Sequence, residues 1–248
     1  DHRDHPFILC VNFLEPHMPF MSPRGGLYDP QRLPMPAAFD HFPAAGEELR
    51  AHLQAEKFRR KPYEWYDLSR EEGWRQMAAA YYGNCTLVDH HIGRILQSLA
   101  ECGLEQNTVV VFTSDHGELL GAHRLLGKGV MYQDSIRVPM LIRYPGQQRP
   151  KRISGPASQV DLVPTILELM EQDVPRHLHG QSRARQLRAD GDVTIGEDVF
   201  IQWNGMGSGD QKAMARKVPD WMAQAAGGED RALAAMFQDT RTILSPDN

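Results

Sequence analysis

The chain has 248 residues, 41% of them hydrophobic and 24% charged, with a formal net charge of −5. That length and composition predict one large globular domain, or one domain with a smaller appendage. The negative balance argues against a general nucleic-acid or anionic-membrane surface, so any anion must be met by local positive charge.

Three cysteines, Cys10, Cys85 and Cys102, cannot all pair and show no metal-ligand spacing. Cys10 and Cys85 sit inside apolar patterns, which predicts buried free thiols. No transmembrane run and no signal peptide stand out. The chain starts without Met at DHRDHPFILCVNF and stops at RTILSPDN, so it reads as cut at both ends.

Taken in order, Phe7–Phe13 is a nearly continuous apolar run, which predicts a central strand buried on both faces. It runs into Leu14-Glu15-Pro16-His17-Met18-Pro19-Phe20, where two prolines are expected to hold an extended turn around His17. The turn alone says no more than a loop histidine. Met21–Lys61 is proline-rich with few periodic stretches and reads as a long surface excursion.

Ser69-Arg70-Glu71-Glu72 has the capping-box pattern. Trp74, Met77, Ala78, Tyr81, Cys85, Val88, Ile92, Ile95, Leu96 and Leu99 then recur at helical spacing, ending at Gly103. Asp89, His90 and His91 are adjacent on that helix and point in different directions, so they read as surface polar groups. The following strand, Thr108–Ser114, would complete a βαβ crossover.

Thr108–Pro145 organises the rest. Val109–Phe112 reads as a buried strand, Asp115 and His116 stand at its carboxyl end, and Val138–Ile142 closes the unit as a second strand. Between them lies a polar loop with Glu118, His123, Arg124 and a lysine, Lys128, flanked by Gly127 and Gly129. Ligands of open α/β sheets sit outside the carboxyl ends of the strands. One carboxylate and one imidazole there suit Ca²⁺, Mg²⁺, Mn²⁺ or Zn²⁺, but two ligands do not make a cage. A strand-end aspartate that caps the next turn explains Asp115 equally well.

Beyond a basic loop at Gln147–Arg152, Asp161–Met170 predicts a short helix with Asp161 as cap and Pro164 in the first turn. Arg176–Asp192 is turn-like, Val199–Trp203 a strand, Gln211–Phe237 mainly helical with a break at Pro219, and Thr240–Leu244 a last strand.

Several motifs match as a set: Thr113-Ser114-Asp115-His116-Gly117-Glu118, Gly121-Ala122-His123, Gly127-Lys128-Gly129 and Arg137-Val138-Pro139-Met140-Leu141-Ile142-Arg143-Tyr144-Pro145-Gly146. Together they closely resemble the sulfatase family of the alkaline-phosphatase-like superfamily. Pro16-His17-Met18-Pro19-Phe20 is similar to its histidine-bearing turn. Asp89 with Ile92-Gly93-Arg94-Ile95-Leu96, and Asp161-Leu162-Val163-Pro164-Thr165, resemble two of its helices. The resemblance runs from about Pro6 to about Ser182.

It implies an α/β fold, an alkaline-phosphatase-like sandwich with a mostly parallel central sheet. It places the core at 1–182, with its amino-terminal part missing, and the beginning of a smaller C-terminal α+β subdomain at 183–248. By the resemblance, Asp115 and His116 ligate one divalent cation, calcium ahead of magnesium or manganese. Lys128 contacts the sulfate group, and His17 the sulfate or the leaving oxygen. His123 matches a frequent position that either touches substrate or supports the groups that do. The substrate would be a small-molecule or carbohydrate sulfate ester, with no nucleic-acid or membrane partner, and a periplasmic or secreted setting is slightly favoured.

The family's nucleophile is a formylglycine made from the first residue of Cys/Ser-x-Pro-x-Arg, and no cysteine here begins that pattern. Ser22-Pro23-Arg24 lacks the intervening residue. The early paired aspartates of the metal site are also missing. A sulfatase without its amino-terminal third is the expectation, with this chain alone inactive. A phosphonate monoester or phosphodiester hydrolase of the same superfamily, or an inactive fragment that binds anions or partners, are the alternatives.

Overall fold

The structure, a computed structural model, describes residues 5–204, 218–237 and 240–246. The chain forms two compact units, each drawn from several stretches. The first takes its described residues from Asp1–Gly103, His116–Arg137 and Asn204–Gln238; the second from Leu104–Asp115, Val138–Trp203 and Asp239–Asn248.

In the first unit the dominant element is a long helix. Helix α1 (Leu49–Arg60) precedes α2 (Glu71–Glu101), which at 31 residues is about 46 Å long at 1.5 Å per residue. Only its first half is deeply buried, through Gly73, Trp74, Met77, Ala78, Ala79, Gly83 and Asn84. Toward the C-terminus the predicted apolar face opens out, and Ile95 and Leu96 are exposed. The helix stops where expected, with Gly103 in the left-handed region at φ 71°. Its start differs from the capping box. Arg70 is the N-cap and makes no side-chain cap bond, and Ser69 turns back, its hydroxyl and its N–H both bonding Asp67 Oδ1. Asp89 and His90 are exposed, while His91 stacks on Phe13 with ring centroids 6.5 Å apart.

Trp74 anchors the largest cluster, with Phe20, Phe39, Phe58, Leu68, Met77 and Leu126, and its indole N–H donates to Leu68 O at 2.8 Å. A second cluster joins Ala51 and Ala55 of α1 to Leu119, Ala122, Leu125 and Val130 of the polar loop. The Met21–Lys61 stretch is therefore no surface excursion. Phe39, Ala51, Leu53, Ala55 and Phe58 are all buried. Small alanines do much of the contacting, and alanine gives little amphipathic signal. Two further helices, numbered below in chain order, complete the unit by burying Ala226, Ala232 and Ala235 with Val218 around Leu53.

The Phe7–Phe13 expectation is corrected. No strand forms there, and Phe7, Ile8, Leu9 and Val11 are exposed, Ile8 by 79%. A strand needs a ladder partner, and among the described residues none pairs with this run. Cys10 is exposed with it, whereas Cys85 is half-buried and its thiol is pushed up by burial.

In the second unit, β1 (Val110–Thr113) pairs antiparallel with β2 (Met140–Arg143), with Val110 opposite Arg143 and Thr113 opposite Met140. Both strands overlap the predicted runs and end one residue beyond them, but Phe112 and Leu141 are exposed, so neither strand is buried on both faces. A parallel pair, β3 (Ile153–Ser154) and β4 (Val193–Thr194), follows. An antiparallel pair, β5 (Val199–Trp203) and β6 (Thr240–Leu244), has the predicted bounds. The ladders among the described residues are thus three two-stranded pairs, two of them antiparallel. Neither the central parallel sheet nor the strand before α2 that a βαβ crossover requires is formed by these residues.

Helices α3 (Gln133–Ile136), α4 (Leu162–Leu169), α5 (Ala184–Arg188), α6 (Asp220–Ala226) and α7 (Glu229–Phe237) complete the inventory. Of the predicted Gln211–Phe237 helix, residues 211–217 lie outside the described residues. Asp161 precedes α4 as expected but its carboxylate does not cap it. It accepts from Gln181 N at 2.9 Å and from Arg183 Nε at 2.8 Å. No described helix is long and apolar enough to cross a membrane.

Candidate functional site

The predicted residues fall into three local arrangements. His17 and Lys128 come together. The turn before His17 closes with its N–H donating to Leu14 O at 3.0 Å, and the Glu15–Pro16 and Met18–Pro19 bonds are both cis rather than extended. His17 Nδ1–H donates to Met18 O at 2.7 Å, which fixes the tautomer and places the lone pair on Nε2. Lys128 Nζ donates to that Nε2 at 2.8 Å. An ammonium and an imidazole are thus held side by side on an exposed rim, across 111 residues of sequence.

The loop that delivers Lys128 is built by its own backbone. Gly127 and Gly129 lie at φ 81° and 93°, where a β-carbon is strained, so the flanking glycines serve the backbone first. Leu119 N donates to Gly127 O at 3.0 Å and Gly121 N to Leu125 O at 2.8 Å. Glu118, given no role from sequence, closes the loop: its Oε1 accepts from Leu120 N at 3.1 Å and from Gly127 N at 2.5 Å. Tyr63 OH reaches Met18 Sδ at 2.7 Å and so supports the His17 turn from the other side.

His116 and Asp115 are consecutive, but Asp115 ends a stretch of the second unit and His116 begins one of the first. His116 Nδ1–H donates to Gly117 O at 2.8 Å, which orients the ring. In the second unit Ser114 Oγ lies 3.4 Å from Asp115 Oδ1. A carboxylate and an oriented imidazole fit a divalent cation chemically, but only as part of a set. Among the described residues no group of three or more His, Cys, Asp or Glu side chains could hold a metal.

Gly117 has a packing reason to follow this pair. A β-carbon there would lie 2.1 Å from Asp134 O, while Gly117 N donates to Ser135 O at 2.8 Å. Gly117→Ala is expected to cost about 1–3 kcal/mol through overpacking, measured as a lowered urea midpoint. An unchanged midpoint would mean that α3 yields without cost.

His123 stands apart from the His17–Lys128 contact. Its backbone is left-handed at φ 56°, its ring lies flat on Tyr132 with centroids 3.7 Å apart, and its Nδ1 is 2.7 Å from His41 Nδ1. His41 was not singled out from the sequence. It lies 82 residues away in the proline-rich stretch, and only the folded chain brings it close.

Comparison with known proteins gives the family. The family model described as Sulfatase matches residues 1–172. The chain is 35% identical over 188 residues to a multifunctional alkaline phosphatase superfamily protein of Trinickia caryophylli, covering 71% of this chain and 36% of that one. It is 32% identical over 184 residues to an arylsulfatase of Clostridium perfringens, again covering 71% and 36%. Among solved structures it resembles the phosphonate monoester hydrolase of Silicibacter pomeroyi with a TM-score of 0.70 and 24% identity, over 93% of this chain and 44% of that one. The chain belongs to the sulfatase family, with the α/β fold of the alkaline-phosphatase-like proteins. It spans about a third of the length of these curated relatives.

Proposed function

We propose that the protein is a sulfuric-ester hydrolase in which Lys128 and His17 hold the ester. The observation that carries this reading is the 2.8 Å contact of Lys128 Nζ with His17 Nε2 in a chain of the sulfatase family. Cleavage of a sulfate ester develops charge on the non-bridging and leaving oxygens. An ammonium held in place meets the first, and an imidazole that can carry a proton on Nε2 meets the second.

Asp115 and His116 would supply part of the shell of one divalent cation, calcium ahead of magnesium or manganese, completed by further carboxylates. When bound, that cation adds Lewis-acid charge at the ester oxygens. A formylglycine, the family's nucleophile, would come from a Cys/Ser-x-Pro-x-Arg motif, which does not occur in these 248 residues. The substrates would be small-molecule or carbohydrate sulfate esters.

Two measurements on the whole protein test this. Rates on an aryl sulfate and on a phenyl phosphonate ester, taken side by side, are expected to favour the sulfate. A preference for the phosphonate would move the protein to that branch of the superfamily. Asp115→Ala is expected to remove the metal found by elemental analysis, and full retained occupancy would overturn the ligand assignment.

A further inference from the structure

The loop that presents Lys128 is gripped at one corner, His123–Arg124, where two consecutive non-glycine residues take left-handed backbone at φ 56° each. Such a corner persists only when its surroundings over-determine it. Here the surroundings are the segment from Ala38 to Glu47. His123 N donates to Ala38 O at 2.9 Å, and Arg124 Nε donates to Phe39 O at 2.8 Å. The Arg124 guanidinium lies over the Phe39 ring at 3.7 Å and pairs with Asp40 at 3.3 Å. The remaining tie is His41 to His123.

Two ring nitrogens 2.7 Å apart accommodate one proton. With none between them two lone pairs face each other, and with two a pair of N–H groups collides. His41 Nε2 lies 3.5 Å from Glu47 Oε2, an ion-pair distance that sets a carboxylate beside the outer nitrogen of the pair. We propose that His41 and His123 share a single proton across their Nδ1 atoms and act as positioning residues, fixing the Lys128 loop in its anion-holding form. The proposal rests on the reading of Lys128 and His17 as the ester-holding pair.

The groups that face the pair are few. From the loop and α3 side come Tyr132, Arg124 and Asp134; from the Ala38–Glu47 segment, Asp40 and Glu47; from the start of α1, Glu48 and, beyond Phe42, His52. Burial and the neighbouring His41 hold His123 below the ordinary histidine value of 6.5, with Asp134 and Glu47 opposing more weakly. Burial and the carboxylates Glu47 and Glu48 push the Tyr132 phenol up to about 12, so it stays a neutral stacking partner. The sign follows from the lowered His123 value. The latch is whole above the ordinary histidine range and is lost as pH falls through the lowered value, when the second proton arrives.

Protein labelled with ¹⁵N-histidine tests the shared proton directly. A scalar coupling between the Nδ1 nuclei of His41 and His123 is expected at pH 7.5 and should vanish on acidification. Absence of any coupling at pH 7.5 would overturn the proposal without any variant. His41→Phe keeps a ring against His123 but cannot share a proton. It is expected to shift the Gly127 and Gly129 amide resonances and to weaken inorganic sulfate binding about fivefold, the effect of one supporting hydrogen bond. His41→Asn, which restores an acceptor or donor, should recover most of that loss. If Lys128→Ala abolishes sulfate binding while His41→Phe leaves the loop resonances and the affinity unchanged, the latch is wrong and the ester site stands. If Lys128→Ala leaves sulfate affinity unchanged, the ester-site reading itself fails, and this proposal with it.

Discussion

Replacing Lys128 by alanine is expected to lower aryl-sulfate hydrolysis by the whole protein about 10²–10³-fold, the usual loss when an oriented donor to a developing anion is removed. The fold should survive. Lys128 is only half-buried, and the loop around it is held by Glu118 and by backbone bonds that the substitution does not touch. The loss should fall mainly on kcat if the ammonium acts on charge that appears during cleavage, and on KM if it only holds the ester. Lys128→Arg should recover little, because a planar, delocalised fork does not reproduce a compact point charge beside His17 Nε2. A folded Lys128→Ala variant with unchanged turnover would show that the ammonium lies outside the reaction.

The second large effect concerns stability. Asp161→Ala is expected to destabilise the second unit by about 3–5 kcal/mol, the cost of leaving a buried charge without its partner. Arg183 and Asp161 are both deeply placed, with side chains 11% and 7% exposed and Nη2 to Oδ2 at 2.8 Å. The same guanidinium also reaches Glu197 at 2.8 Å, and Thr165 Oγ1 accepts from Arg183 N at 2.9 Å. Asp161→Asn keeps an acceptor for Gln181 N and should cost less. Urea unfolding of the two variants checks both magnitude and order. A cost below about 1 kcal/mol for alanine would mean that Glu197 alone suffices to hold the arginine, as exposed pairs of that size do.

That pair also shows where the sequence could be read and where it could not. Asp161 ahead of an apolar helix has the residue type of a cap, and the helix is there. Its carboxylate instead serves a backbone that returns twenty residues later. Local pattern cannot report a long-range partner. β5 and β6 were legible because both show strand composition between turn signals, and α2 because its periodicity runs for many turns. Phe7–Phe13 has the same apolar density as a buried strand, yet exposed Ile8 and Leu9 show that density without a ladder partner makes no strand. Helix α1 gives a weak amphipathic signal because only Leu53 and Phe58 are large apolar residues on its buried face, the rest being Ala51, Ala55 and Glu56.

At the candidate site, local pattern alone marks His17 as no more than a loop histidine; the family resemblance pairs it with Lys128, and the structure sets the two side by side. Asp115 and His116 were legible as a pair of donors. His41 carried no local mark, and neither did the service of Glu118 to the loop. Both act through contacts that exist only once the 119–132 segment has folded back on itself and on Ala38–Glu47.

The left-handed glycines on either side of Lys128 have a consequence at the level of the gene. Every change at the first or second base of a glycine codon either adds a side chain or stops translation, so any substitution at Gly127 or Gly129 places a β-carbon on left-handed backbone. Asparagine, a tolerated left-handed residue, lies two changes away. Aspartate lies one change from half of the glycine codons and accepts that backbone better than most. It would also set a carboxylate beside the one ammonium of the loop, against the anion that ammonium is proposed to hold. The substitution the backbone forgives most easily is thus the one that the charge forbids.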